Sequence, residues 1–214
     1  MSRVVLIDYG SGNLRSAEKG LQKAASMAGL ADEVVTSSDP AVVAAADRLV
    51  LPGVGAFAHC MNLVNAIPGL TEAMTEAAVT RGRPFLGVCV GMQLLATRGL
   101  EFGETPGLGW IAGDVRLIEP ADPRLKVPHM GWNQLLGVNG HALFTGEAQE
   151  PHMYFTHSFA LDAADPADVI ASFDHGGRHA AAVARGNIAG VQFHPEKSQA
   201  AGLKLLANFL EWRP

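Results

Sequence analysis

The sequence predicts an α/β fold: a mostly parallel open sheet with helices on both faces and antiparallel additions in the second half. Three observations carry this expectation. Through the first half, apolar runs of strand length alternate with segments of helical period. Those runs are apolar throughout rather than alternating with polar residues, as strands buried on both faces are. Beyond residue 110, short β-rich runs follow one another with glycine and proline between them, the texture of antiparallel strands.

Val4-Val5-Leu6-Ile7 is the first expected strand, ended by the turn-forming Asp8-Tyr9-Gly10-Ser11-Gly12-Asn13. A helix follows, because Leu14, Ala17, Leu21, Ala24, Ala25 and Ala28 recur at helical steps. Glu33-Val34-Val35-Thr36 is the second strand. Ser38-Asp39-Pro40 then supplies a cap and a first-turn proline for a short helix over Ala41 to Ala46. Arg48-Leu49-Val50-Leu51 is the third strand, and Pro52-Gly53-Val54-Gly55 a glycine-rich loop. A helix over Leu70 to Arg81 leads to the fourth strand, Pro84-Phe85-Leu86-Gly87-Val88. In the second half, strands are expected at Trp110-Ile111, Val115 to Ile118, Lys126 to His129, Met153 to Phe155, Val169 to Ala171 and Ala181 to Ala184. Ile188 to Phe193 reads as a buried strand. A last helix presents Leu203, Leu206 and Leu210 on one face, with Ser198 as its cap.

No repeat, low-complexity tract or linker-like composition interrupts residues 1–214, which read as one domain. Sixteen Lys+Arg against 21 Asp+Glu leave a formal charge of −5, and no basic cluster points to nucleic acid. No run reaches the length of a membrane span, and the N-terminal residues do not form a signal peptide. Two cysteines, Cys60 and Cys89, are too few for a disulfide framework, so a cytoplasmic location is expected.

Cys89 carries the first chemical signal. In Gly87-Val88-Cys89-Val90-Gly91 it lies between a strand and a segment of helical composition, with glycines at −2 and +2. This is the setting of a nucleophile elbow, a tight strand-to-helix turn that presents a reactive atom. A helix N-terminus there favours a thiolate, and the Val90 amide faces the side where an oxyanion would form. The plain alternative is a buried structural cysteine.

His194-Pro195-Glu196 tips the balance. Proline biases His194 toward extended backbone, and residues two apart then share a side, so Glu196 can orient the imidazole. A His-Pro-acid triplet is expected by composition only about 0.04 times in such a chain. Together the segments supply nucleophile, base and orienter, both just past predicted strand ends, where open parallel sheets place their sites. The Gly53–Gly55 loop can bring backbone amides to a developing negative charge. Gln93, four residues past Cys89, shares its helix face. Cys60 lacks flanking glycines and reads as packing. The remaining histidines show no ligand spacing, and no phosphate-binding glycine pattern occurs, so neither metal nor cofactor is expected.

Gly87 to Gln93 together with His194-Pro195-Glu196 resembles the class I, or triad, glutamine amidotransferases. The whole chain is similar to one branch, the glutaminase subunits of imidazole glycerol phosphate synthases in histidine biosynthesis. That likeness rests on Asp8 to Leu14, Pro52-Gly53-Val54-Gly55, Pro128-His129-Met130-Gly131-Trp132-Asn133, Tyr154 to Phe159 and Gln192 to Gln199. Val90 stands where leucine is usual, and Phe159 where tyrosine is common.

The resemblance implies that Cys89 attacks the side-chain amide of L-glutamine, with His194 as base and Glu196 as orienter. Amides near Val90 and the Gly53–Val54 loop would hold the oxyanion. Gly53, Gly55, Gln93, His157, Ser158 and Phe159 match glutamine-pocket positions. Asn13, Trp132, Tyr154 and Lys197 match positions at the interface with a cyclase subunit, a (β/α)8 barrel that receives the ammonia in a heterodimer. Trp132 would equally suit a core position. Other readings are a glutaminase serving a pyridoxal phosphate or anthranilate synthase, an inactive scaffold of the same fold, and a self-sufficient cysteine hydrolase. On the resemblance, Glu196 is expected in an exposed cleft and the loop amides to point away from the site until a partner turns them.

Overall fold

The computed structural model describes residues 2–138, 140–148 and 150–214. Five apolar runs form a parallel block: β1 (Arg3–Ile7), β2 (Glu33–Ser37), β3 (Arg48–Gly53), β4 (Phe85–Cys89) and, much later, β13 (Ile188–Val191). They lie in the order β13-β4-β3-β1-β2. Two antiparallel strands, β11 (Val169–Asp174) and β12 (Arg178–Arg185), extend this sheet beyond β13. The side chains of β1, β3 and β4 are buried almost without exception, which accounts for their unbroken apolar composition.

The chain reverses direction across the sheet at β1. The connection through α1 (Leu14–Met27) steps outward to β2, whereas those through α2 (Pro40–Ala44), α3 (Phe57–Ala66) and α4 (Leu70–Thr75) step back toward β4. Right-handed crossovers in opposite directions put their helices on opposite faces. Accordingly α1 packs with the C-terminal α6 (Gln199–Glu211), and α2 and α3 pack with α4.

The antiparallel additions take both of the expected forms. Besides β11 and β12, a small sheet joins β5 (Arg98–Gly99), β6 (Thr105–Pro106), β7 (Gly113–Leu117) and β10 (Phe159–Ala163), and β8 (His129–Gln134) pairs with β9 (His152–His157).

Several elements differ from expectation. Helix α3 was not expected, although Phe57, Cys60, Met61 and Val64 form its buried face at helical spacing. The helix after Leu70 is α-helical only to Thr75 and continues as a π-turn over Glu76–Thr80. Trp110 and Ile111 are not a strand: their amides bond to the Leu95 carbonyl. The segment expected from Lys126 becomes strand only at His129. Leu205, Leu206, Phe209 and Leu210 form the buried face of α6, with Leu203 half-buried. Ser198 does not cap α6 through its side chain. Its hydroxyl donates to His194 O (2.7 Å) and accepts from the Tyr154 amide (3.0 Å), tying the segment after β13 to β9.

Candidate active site

Three neighbouring parallel strands deliver the site. Gly53, at the end of β3, is the register partner of Cys89 at the end of β4, and Val88 is the partner of Val191, three residues before His194. Cys89 sits at φ 55° and ψ −114°, a strained conformation for a residue with a β-carbon. The two glycines around it are required by contact rather than by flexibility. A Cβ at Gly91 would lie 1.8 Å from Leu51 O, and one at Gly87 2.4 Å from Gly91 O.

The helix behind the elbow is shorter than its composition suggested. It spans one turn, α5 (Val90–Gln93). It ends there because the amides of Leu108, Gly109, Trp110 and Ile111 take up the carbonyls of Leu94, Leu95 and Ala96. One turn has little macrodipole, so the expected helix-terminus contribution to a thiolate at Cys89 is small. A different donor meets the sulfur: Gln192 Nε2, fully buried, at 3.8 Å. Gln192, His194 and Glu196 alternate along one segment, so the reasoning that paired His194 with Glu196 could have identified Gln192.

His194 Nδ1 bonds Glu196 Oε1 at 2.9 Å, and both side chains are buried, at 3% and 4% exposure. The expected exposed cleft is therefore wrong at Glu196: α1 and the start of α6 cover it, with Gly20 of α1 against its Cβ. Burial alone would push the His194 imidazole down, but the Cys89 sulfur in its thiolate form and the Glu196 carboxylate raise it to about 9. The imidazolium is thus the resting form at neutral pH. His194 Nε2 is buried without an aligned hydrogen-bond partner among the described residues, although Cys89 lies close enough to influence its charge. Such contacts are often loose before substrate binds.

Val54, Gly55, Cys89, Val90, Gln93, His157, Ser158, Phe159 and His194 line one cavity of about 310 Å³. Glu101, Pro128, Thr156 and Lys197 complete its wall, four residues that sequence reasoning did not place there. Among the described residues Glu101 is the one carboxylate of this wall, held by the Phe57 amide at the start of α3 (2.8 Å). Gly53 lies behind this wall, beside a small void shared with Asn13, Val54, His194 and Glu196. A larger open cavity of about 610 Å³, between Arg116 and His179, contains neither cysteine, so the chemistry is assigned to the smaller one.

The loop amide expected to turn away is held in that state. The Val54 N–H points at Ser11 Oγ (3.4 Å), and Val54 O accepts from the Ser11 hydroxyl (2.7 Å) and the Cys60 thiol (3.3 Å). Cys60 is therefore more than packing. Burial pushes its thiol up, which keeps it protonated as a donor.

At the surface, Trp132 is 48% exposed, which removes the core reading. It pairs edge-on with Tyr154 across β8–β9 (6.0 Å), and Lys197 Nζ lies 5.8 Å from the Tyr154 ring centre. Histidines scattered in the sequence also converge: His129, His157, His175 and His179 cluster around Phe173. No group of three or more His, Cys, Asp or Glu among the described residues is arranged to hold a metal.

Comparison with known proteins agrees with this geometry. The family "Glutamine amidotransferase class-I" matches residues 5–212. The imidazole glycerol phosphate synthase subunit HisH of Caulobacter vibrioides is 61% identical over 214 residues, covering 100% of both chains. That of Rhodospirillum rubrum is 57% identical, over 99% of this chain and 100% of its own. Among solved structures, a glutamine amidotransferase superposes with a TM-score of 0.70 at 20% identity, over 97% of each chain, a likeness of fold. The elbow cysteine, the base–carboxylate pair and the sheet that joins them thus sit in a chain that belongs to the class I glutamine amidotransferases and, within them, to the imidazole glycerol phosphate synthase HisH subunits.

Proposed function

We propose that residues 1–214 act as one glutaminase domain, hydrolysing L-glutamine to glutamate and ammonia at Cys89 and delivering the ammonia to a cyclase subunit in histidine biosynthesis. The observation that carries this reading is the convergence of Cys89 and His194 on one cavity, with Glu196 bonded to His194 behind its wall, in a chain 61% identical to a HisH subunit. Cys89 Sγ attacks the side-chain carbonyl carbon of glutamine. His194, protonated at rest and oriented by Glu196, gives a proton to the departing ammonia. Water then attacks the thioester, His194 takes its proton, and glutamate leaves with the thiolate restored. Glu101 is placed to receive the substrate's α-ammonium group, because an acceptor for a cation is needed and no other carboxylate lines the cavity.

The partner would be a (β/α)8 barrel docking on the face that carries Asn13, Trp132, Tyr154 and Lys197. A half-exposed tryptophan set edge-on against a tyrosine is the kind of group that anchors interfaces. The site of action would be the cytoplasm; no helix among the described residues is long and apolar enough to cross a membrane. Glutamate release is expected to be slow for the chain alone and to rise strongly with the cyclase subunit and its nucleotide ligand. Pyridoxal phosphate or anthranilate synthase partners should have no effect. Equal turnover with and without the cyclase subunit would contradict this activation, and stimulation by another partner would reassign the pathway.

The Ser11 contact yields a second expectation. Ser11→Ala removes the hydroxyl that accepts from the Val54 N–H and donates to Val54 O, in the two peptides flanking that residue, freeing the N–H to face the cavity. One net hydrogen bond is worth about fivefold in population. Partner-free glutamate release should rise by about that factor while the stimulated rate stays the same, so the ratio falls. An unchanged basal rate would show that Ser11 does not hold the loop back.

A further inference from the structure

The geometry points to Gln192 as the residue that holds the Cys89 sulfur as a thiolate, with its amide oriented through Gln93 by the Phe159 carbonyl, an acceptor that a second line of donors from Asn133 on β8 also anchors. The proposal rests on the reading of Cys89 as nucleophile. It adds a residue that acts on the sulfur and the carbonyl that fixes the direction of its amide.

Every direction in this second line of donors is set by groups that can play only one part. Asn133 Oδ1 accepts from the Gln134 amide (2.8 Å) and Asn133 Nδ2 donates to Asp174 O (2.8 Å), so the side chain cannot be turned over. Nδ2 also lies 3.1 Å from His129 Nε2, which must accept. At the other end, Phe159 O can only accept, so His157 Nδ1, 2.8 Å away, carries a hydrogen. Burial, opposed by that hydrogen bond and reinforced by neighbouring histidines, pushes His157 down to about 3. Burial and the nearby histidines push His129 down to about 4. Each ring is therefore neutral and holds one hydrogen. The 3.2 Å contact between His129 Nδ1 and His157 Nε2 then has one solution, with His129 donating.

Phe159 O is the node where two lines of donors meet. Its second donor is Gln93 Nε2 (2.9 Å), whose other hydrogen goes to Gln192 Oε1 (3.1 Å). With its oxygen engaged, Gln192 turns its Nε2–H₂ toward the sulfur, 3.8 Å away. An amide in the opposite orientation would aim an oxygen lone pair at a thiolate, so the Gln93 contact excludes the orientation that opposes ionisation. When the Cys89 proton passes to His194, the sulfur keeps the electron pair and Gln192 supplies a fixed dipole to it.

Alkylation of Cys89 by iodoacetamide in the full-length chain tests this without substrate or partner. In Gln192→Leu, alkylation near neutral pH should slow by about tenfold or more, the size of a lost hydrogen bond to a charged group. Its pH profile should move to higher pH with the plateau rate unchanged. The ionisable groups around Cys89 are the same in parent and variant: His194, with Glu101, His157 and Lys197 on the cavity wall, and Tyr9 and Cys60 beyond. Gln192→Met, unbranched, uncharged and unable to donate, should shift the profile as far and covers the case in which the leucine variant does not fold. An unshifted profile in a folded variant would overturn the role of Gln192. Nitrogen-15 spectra of the imidazoles test the donor line that anchors Phe159 O: His129 and His157 should both carry hydrogen on Nδ1, and a hydrogen on Nε2 of either would overturn that anchoring. Neither readout uses glutamine turnover, so failure of the glutaminase reading would appear separately.

Discussion

Cys89→Ala, assayed with the cyclase partner, should lose glutamine-dependent synthesis by about 10⁴-fold or more while synthesis from added ammonium salt continues. The size follows from what remains. His194 and Glu196 would still form their pair, but no other side chain in the cavity combines a nucleophilic atom with that base. Thr156 and Ser158 line the same space, yet neither has His194 as a hydrogen-bond partner. Cys60 cannot replace the missing thiol, because its hydrogen is given to Val54 O and burial keeps it protonated. Continued use of ammonium would show that the partner's chemistry and the complex survive. Full glutamine-dependent activity in this variant would leave the inactive-scaffold reading standing and remove the glutaminase one.

Glu196→Gln should lower turnover on the order of 10²- to 10⁴-fold and change its pH dependence in a defined direction. His194 stands at about 9 because the Cys89 and Glu196 contributions outweigh burial. A base raised in this way keeps its proton below that value, and the proton needed by departing ammonia is lost as pH rises through it. Removing the carboxylate charge takes away one of the raising contributions, so the alkaline limb of kcat/KM should move to lower pH. The same sign applies to stability. The pair's contribution is complete below the ordinary histidine value near 6.5, fades between there and about 9, and is smaller in the variant. Glu196 is buried, so thermal unfolding should be recorded alongside; a variant that melts like the parent yet keeps full turnover would remove the orienter role.

Much of the fold was legible because its signals are local. The apolar strands, the first helix and the change of texture after residue 110 follow from periodicity and turn residues. Helix α3 was readable from Phe57, Cys60, Met61 and Val64 but lay next to a glycine loop that drew the eye to the site. The single-turn α5 was not readable. The residues that end it are more than ten positions away, and a helical composition says nothing of which carbonyls a distant segment will take. The clustering of His129, His157, His175 and His179 is equally non-local, since β8, β9, β11 and β12 must pair and pack before those rings meet.

By itself the sequence determined which atoms can react. A thiol between two glycines and an imidazole two residues from a carboxylate are matters of residue type and short spacing, set by sterics that act within one turn or one extended segment. The tertiary structure decided how those atoms are aimed and biased. Gln192 lies 103 positions from Cys89, and Gln93 lies 66 from the carbonyl that orients it. Ser11 is 43 positions from the Val54 peptide that it holds. A hydrogen bond has a direction only when its partner is in place. The charge on His194, the orientation of Gln192 and the resting state of the Val54 amide therefore exist only once separate strands have brought their partners together.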